Sequence, residues 1–555
     1  VSTLVLVAVP LLPLAAAVAI GLLRPSGDTA ARWAIRSGAV AALAAIPLVV
    51  MAAGGPVEAI AEGGDGRAVV GLVADRVTSV LALLTVGVGL VVQSFARRAL
   101  AGDPRAARFF TFASLLTAST TFTAMAATGS GFAFGWVVAG TSLSALVAHR
   151  AGWEPAARAS SRIRRSFTVG DVALVLGVVS AAVIMGDLDL RNVQNASGVL
   201  AGFQAPVLGA GGALAVIAVL LVIAGISRSA IIPFHRWLPA TLAGPTPTSA
   251  LLHAGVVNGA GVLLVRFAPI FGASPIATHL AFALGAATVV VATAIMLIRA
   301  DVKGNLVWST AGQMGFMVVQ CAVGAFSAAL FHVVGHGMYK AALFLGSGNA
   351  ISAHLEHRRQ PHTEPRIGVA LRQSVAFTLP PAALALAYSI VDPDLDAAGD
   401  ILVVVFAWAT ATRGLRGWLD AAPLRTGATI LTGATAVTLA SLGYVGGLAA
   451  FKGFVGPALP TAVLAAVSPT VLAATLAILA VILGGIWLFP GGAGDALRRQ
   501  AYAELLAISA PVPSRVQTLR APRLLDLAGP VSRTSSEPTA PRDRRHAEHE
   551  QEVRG

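Results

Sequence analysis

Residues 2–23 read STLVLVAVPLLPLAAAVAIGLL, an apolar run without one charged side chain. About 20 such residues are what an α-helix needs to cross the hydrocarbon core of a bilayer. Comparable runs recur along the whole chain, at about 2–23, 33–53, 68–94, 109–128, 130–148, 167–186, 207–226, 247–271, 277–298, 305–324, 325–348, 368–390, 401–412, 426–450 and 465–489. The run 401–412 is short and must borrow flanking residues. The window rule for membrane spans therefore gives about 15 transmembrane helices. The first run lacks a basic segment before it and a small-residue cleavage pattern after it, so it reads as a retained helix. The expected fold is an all-α polytopic membrane protein.

Composition excludes the soluble classes. Of 555 residues, 56% are hydrophobic and 12% charged, with a mean hydropathy of +0.78. A soluble domain carries roughly 25% charged residues. A soluble enzyme, a DNA-binding module and a disordered scaffold are all incompatible with these values. The net charge of +13 and a pI near 11.2 do not imply a nucleic-acid partner. The basic residues sit in short connections, as cytoplasmic loop bias requires, rather than on one amphipathic face. The basic connections are 24–36, 96–108, 150–166, 227–245, 299–304, 353–366 and 413–425. Between them lie acidic or neutral connections carrying Glu58, Glu62, Asp65, Asp187, Asp189, Asp392, Asp394, Asp396 and Asp400. This alternation predicts an outside N-terminus and a cytoplasmic C-terminus. The one cysteine, Cys321, excludes an intrachain disulfide and argues against a thiolate metal cluster.

The chain divides into N-terminal helices (1–66), a core (67–350), C-terminal helices (351–490), an interface segment (491–529) and a tail (530–555). Within 491–529, the stretch Ala496–Ile508 reads as a short amphipathic helix at the membrane surface. The polar, Pro-containing tail reads as disordered.

Ionisable groups at bilayer depth cost about 2.5–3.5 kcal/mol on insertion scales and are functional candidates by default. In FHVVGHGMYKAALFLG (331–346), His332, His336 and Lys340 recur at i, i+4 and i+8, forming one stripe with neighbours a turn apart. Imidazoles titrate near neutrality and a desolvated lysine approaches it, so such a stripe can pass protons. Two other readings stay open: buried histidines satisfied by carbonyls, and a metal site. A zinc-protease helix would need Glu where Val333 stands, and no metal or cofactor set is assigned. In ISRSAIIPFHRWLPATLAGPTPTSALLHAGVVNGAG (226–261), Pro233, Pro239, Pro245 and Pro247 interrupt the helix. Broken backbone at membrane depth builds ion sites in transporters. A proline-rich surface loop is the competing reading. His253 is expected one turn into the following helix, with Asn258 in its hydrogen-bond network. Asp75 and Arg76 inside the third span, and Asp171 near the start of the sixth, serve either as ion pairs or in a conduction path.

At PFHRWLPATLAGPTPTSALLHAG, DVKGNLVWSTAGQMGFM and ALFHVVGHGMYKAALFLGSG the chain resembles the proton-translocating antiporter-like family. That family includes the large membrane-arm subunits of respiratory complex I and of multisubunit Na⁺/H⁺ antiporters. The resemblance spans about Asp75–Gly348 and implies inverted repeats with broken helices. It puts His253, His332, His336 and Lys340 on a proton path, and Arg228, Asp171 and Asp75 at further path positions. Three positions depart from the family pattern. Val137 follows Trp136 where a glutamate is expected. Arg228 replaces a lysine, and arginine does not deprotonate in proteins. Thr168 replaces an arginine, leaving Asp171 without its usual close partner. No lysine matches that of the second repeat; Lys452 sits at a span end. Within the family, HAGVVNGAG and DVKGNLVWSTAGQMGFMVVQC look most like DabB-type membrane subunits of an inorganic carbon pump.

That resemblance implies a bacterial plasma-membrane subunit conducting protons to a DabA-like partner, a large zinc-containing, carbonic-anhydrase-like cytoplasmic protein. The chain itself would not be an enzyme. Two alternatives remain: a proton- or sodium-translocating subunit of a respiratory or antiporter complex, and a non-conducting membrane anchor.

Overall fold

The computed structural model describes residues 2–64, 68–150, 152–185, 189–193, 209–299, 301–349, 369–391, 399–421, 426–459, 500 and 502–505. The span expected at 465–489, the loop 353–366, the tail 530–555 and most of Ala496–Ile508 lie outside the described residues. So do Asp65, Asp187, Asp392, Asp394 and Asp396. The described residues all belong to one compact unit.

The chain opens with α1 (Ser2–Leu23) and α2 (Gly27–Gly54), followed by β1 (Val57–Glu62) and β2 (Ala68–Ala74). Then come α3 (Arg76–Ala99), α4 (Ala106–Met125), α5 (Gly129–Val147), α6 (Glu154–Met185), the single turn α7 (Leu190–Val193) and α8 (Gly209–Arg228). A broken stretch contains α9 (Trp237–Ala240), α10 (Thr246–Leu251), α11 (Gly259–Arg266) and α12 (Ala268–Gly272), with 3-10 turns between the pieces. It is followed by α13 (Pro275–Ile298), α14 (Val302–Ala322), α15 (Phe326–Gly346), α16 (Val369–Val391), α17 (Gly399–Ala421) and α18 (Thr426–Val455). Each of the first fourteen expected spans overlaps one long helix or the broken stretch, and the weak run 401–412 is the N-terminal half of a 23-residue helix.

Helix ends follow local capping chemistry. Asp75 accepts from the Val77 and Thr78 amides at 2.9 and 2.8 Å, and the Thr78 hydroxyl accepts from the Asp75 amide at 2.8 Å. This reciprocal cap starts α3. Ser26, Thr128, Ser274 and Asp301 cap α2, α5, α13 and α14 in one direction only, each side chain accepting a backbone N–H three residues on.

The all-helical expectation needs one addition. Residues 68–74 are not the start of the third span but β2, antiparallel to β1, with Val57 opposite Ala74. The turn-forming GGDG between two Val/Ile/Ala-rich runs is a hairpin signal that apolarity concealed. Asp75 therefore stands at the helix N-terminus and not inside a span. The hairpin is tied to its surroundings by backbone bonds, Ala127 N–H to Gly71 O at 2.9 Å and Leu190 N–H to Ala127 O at 2.8 Å.

Ionic contacts sort the connections into two ends. At the hairpin end, Arg191 pairs with Glu58 at 2.7 Å, and Arg266 donates to Ala126 O at 2.6 Å and faces Asp75 at 3.7 Å. At the other end, Arg97 pairs with Asp28 at 2.8 Å, Arg105 donates to His149 O at 3.1 Å, and Lys303 donates to Thr246 at 2.9 Å. His149, buried edge-on against Phe109, bonds Asp103 at 3.1 Å. Burial pushes the Asp103 carboxyl up, but the Arg105 amide, His149 and Arg150 outweigh it and leave its pKa below the usual aspartate value.

α13 and α14 meet backbone to backbone. A Cβ at Gly315 would lie 2.7 Å from Gly285 O and 3.0 Å from Val289 N. Small residues at such crossings let membrane helices approach closely. Gly315→Val should cost about 1–3 kcal/mol through overpacking, lowering the unfolding temperature of the detergent-solubilised protein. Gly335→Ala on α15, where a Cβ meets nothing within 4 Å, is the control and should leave it unchanged.

Candidate functional site

The stripe on α15 meets a second polar stripe on α14. Lys340 Nζ donates to Ser309 Oγ at 2.5 Å and reaches Leu306 O at 3.5 Å. One turn earlier on α15 and one turn later on α14, His336 Nδ1 lies 3.0 Å from Gln313 Oε1. One more turn brings His332 against the Phe316 ring, with centroids 5.8 Å apart. The antiparallel helices thus carry matched rungs, Lys340–Ser309, His336–Gln313 and His332–Phe316, each one turn from the next. His336 and Lys340 are buried and His332 half-buried. His332 also faces Phe406 of α17 at 6.0 Å, and its ring is 5.9 Å from that of His336.

His253 joins this cluster from the broken stretch. It lies in the 3-10 turn Leu252–Ala254 between α10 and α11, a correction to its expected place within a regular helix. Its Nδ1 is 3.2 Å from His336 Nε2, and its ring stacks on Phe344 at 5.1 Å. The break frees backbone acceptors, and Asn258 satisfies one of them, donating from Nδ2 to His253 O at 2.8 Å. Residues Thr246–Arg266, Pro247 among them, are almost wholly buried and are no surface loop, whereas Pro233 is exposed and Pro239 and Pro245 are half-buried. His253 Nδ1 and both ring nitrogens of His336 are met by each other and by Gln313, not by backbone carbonyls. Among the described residues, no group of three or more His, Cys, Asp or Glu is arranged to hold a metal ion.

Arg228 and Asp171 form a separate centre. Arg228, 1% exposed, donates from Nη2 to Asp171 Oδ1 at 2.5 Å. Its guanidinium carbon lies 4.2 Å from the Phe167 ring centroid and 4.6 Å from that of Trp136. Gly140 supplies the floor, since a Cβ there would be 2.5 Å from Nη1. Asp171 is one turn beyond Phe167 on the α6 face that packs on α8. It therefore has a partner after all, and the replacement at Thr168 does not leave it alone. A caged guanidinium with a fixed counter-ion supplies permanent charge and keeps its protons. A cavity of about 40 Å³, large enough for water, is bordered by Arg228, Trp136, Asn258, Thr85 and Thr120. Asn258 thus touches both this cavity and the histidine pair.

Two larger cavities lie at the opposite ends. One of about 530 Å³ at the hairpin end is bordered by Glu58, Asp75, Arg76, Arg191 and Arg266. The adjacent Asp75 and Arg76 have separate partners: Arg76 donates to Ala53 O at 2.8 Å and Phe454 O at 3.3 Å. The other, about 400 Å³, is bordered by Asp103, His149, Arg150, Thr246 and Leu345, at the C-terminal end of α15.

The structure brings the α15 stripe and His253 together, and adds Ser309, Gln313 and the Trp136/Phe167 cage, which the sequence reading did not name. The i, i+4 spacing of Ser309 and Gln313 in WSTAGQMGFM was the available signal, repeating the period of the His/His/Lys stripe.

Buried titratable groups thus lie in the interior of a helical membrane bundle that has a cavity at each end. Residues 130–364 match the family described as NADH:quinone oxidoreductase/Mrp antiporter, transmembrane. It is 33% identical to a probable inorganic carbon transporter subunit DabB1 of Halothiobacillus neapolitanus over 357 residues, covering 62% of this chain and 63% of that one. It is 32% identical to the NADH-quinone oxidoreductase subunit L of Rickettsia typhi over 287 residues, covering 51% and 43%. The chain thus spans less than two thirds of the length of these relatives. A structure of the Mrp complex from Dietzia sp. shares the fold, with a TM-score of 0.54 at 23% identity, covering 90% of this chain and 60% of that one.

Removing one member of the buried Arg228–Asp171 pair leaves a charge without its counter-ion, at a cost of about 3–5 kcal/mol. Asp171→Asn should lower thermal stability markedly. Asp171→Asn combined with Arg228→Gln should recover most of the loss in the same melting assay.

Proposed function

We propose that this chain is the membrane subunit of an energy-coupled inorganic carbon pump, conducting protons inward to drive a cytoplasmic partner of DabA type. The observation that carries the conducting half is the contact of His253 with His336 on the stripe that continues to His332 and Lys340. In this reading the conducting core is residues 67–350. Asp75 borders the outer mouth and the cavity beside Leu345 is the inner one. The Arg228–Asp171 pair acts through its fixed charge. The basic end, carrying Arg97, Arg98, Arg105, Arg108, Arg162, Arg164 and Arg165, faces the cytoplasm of a bacterial plasma membrane, as positive-inside bias favours. That gives an external N-terminus. Hydration of CO₂ belongs to the partner, a zinc-containing, carbonic-anhydrase-like protein.

The carbon-pump half is supported by the DabB relative and by Val137 at the position where the antiporter-like family pattern has glutamate. The quinone oxidoreductase relative, at similar identity, favours a second reading as a proton- or sodium-translocating subunit of a respiratory or antiporter complex.

Co-expression of this chain with a DabA-type partner in a carbonic-anhydrase-deficient host separates these readings. The pump reading expects growth in air that is abolished by a protonophore, and by His336→Ala with Lys340→Ala at unchanged membrane abundance. Growth that survives both treatments would make the chain an anchor. Absence of rescue together with sodium-sensitive growth of a deletion strain would favour the antiporter reading.

A further inference from the structure

A neutral imidazole has one N–H and one lone pair, and the partner of one nitrogen dictates the state of the other. His336 Nδ1 faces Gln313 Oε1 at 3.0 Å. An amide oxygen has no proton to give, so Nδ1 is the donor and His336 Nε2 keeps its lone pair. That lone pair faces His253 Nδ1 at 3.2 Å, which must then carry the second N–H. His253 Nε2 is left unprotonated, and it is buried without a hydrogen-bond partner. The opposite polarity would place a proton on this same nitrogen, creating a buried donor with no acceptor. Orphaned buried donors are rarer in folded proteins than under-satisfied acceptors. The two ends of the pair, read independently, give the same direction.

We propose that Gln313 is a positioning residue that sets the tautomers of both histidines, so that the pair takes up a proton at His253 Nε2 and holds it at His336. The proposal rests on the proton-conducting reading and adds a direction and a stop to it. An arriving proton bonds to the lone pair of His253 Nε2. The N–H bond at His253 Nδ1 breaks as a new one forms at His336 Nε2. His253 returns to neutrality in its other tautomer, and His336 becomes an imidazolium whose Nδ1–H still points at Gln313. The amide oxygen is not a base that accepts this proton, so transfer halts there. Onward movement toward His332 or Lys340 requires the His336 ring to leave Gln313. The glutamine, half-buried on α14 in the middle of the three rungs, is thus a latch on the relay.

The test uses the full chain labelled with ¹⁵N-histidine in lipid nanodiscs at alkaline pH, with His336 signals identified by their loss in His336→Gln. The wild type should show His336 protonated at Nδ1 and bare at Nε2. Gln313→Leu should move the population to the Nε2–H form. In proteoliposomes the same variant should cut proton influx about 10-fold or more, by analogy with metal-bound histidines that lose the outer-shell partner fixing their tautomer. A wild-type His336 protonated at Nε2 overturns the proposal without need of any variant, as does a tautomer indifferent to Gln313→Leu. If the tautomers respond as stated while the wild type carries no proton current, the conduction reading fails and the tautomer assignment stands.

Discussion

An ionisable side chain at bilayer depth must find its hydrogen-bond partners within the protein, because the surrounding hydrocarbon has none to lend. That constraint organises the centre of this molecule. Lys340, His336 and His253 are each met by a polar atom supplied from a neighbouring element, and two of those atoms belong to one face of α14. The register of α14 against α15 is therefore fixed by chemistry as well as by packing. A slip of one residue would strand all the rungs together. The broken stretch obeys the same rule: interrupting the helix exposes the His253 carbonyl, and Asn258 returns to cover it.

The sequence carries those features whose signal is periodic. Spans, the two-ended distribution of charge and the His/His/Lys stripe all repeat at helical spacing and are legible without coordinates. Features set by non-local approach are not. The β-hairpin hid because Ala68–Ala74 is as apolar as the helix that follows, so a hydropathy window merges the two. Asp171 appeared isolated because its local partner position holds Thr168, whereas its actual partner lies 57 residues further along. Gln313 was overlooked because a glutamine among apolar residues announces nothing until the helix opposite is known. Its spacing from Ser309 was the one trace left in the primary structure.

The substitutions at Val137 and Arg228 become intelligible together. With no glutamate after Trp136, the indole and Phe167 enclose a guanidinium, and the carboxylate paired with it comes from α6. A lysine in that cage would have one compact charge and three rotating donors, and would shift readily between protonation states. Arginine holds its charge. The centre holds a constant charge next to the small cavity that it shares with Asn258.

The glycine contact between α13 and α14 has a mechanical consequence. Two helices whose backbones touch at Gly285 and Gly315 have no compressible side-chain layer between them, so they behave as one double-walled stave. The polar rungs of α15 therefore lean on a wall whose two layers have little room to part.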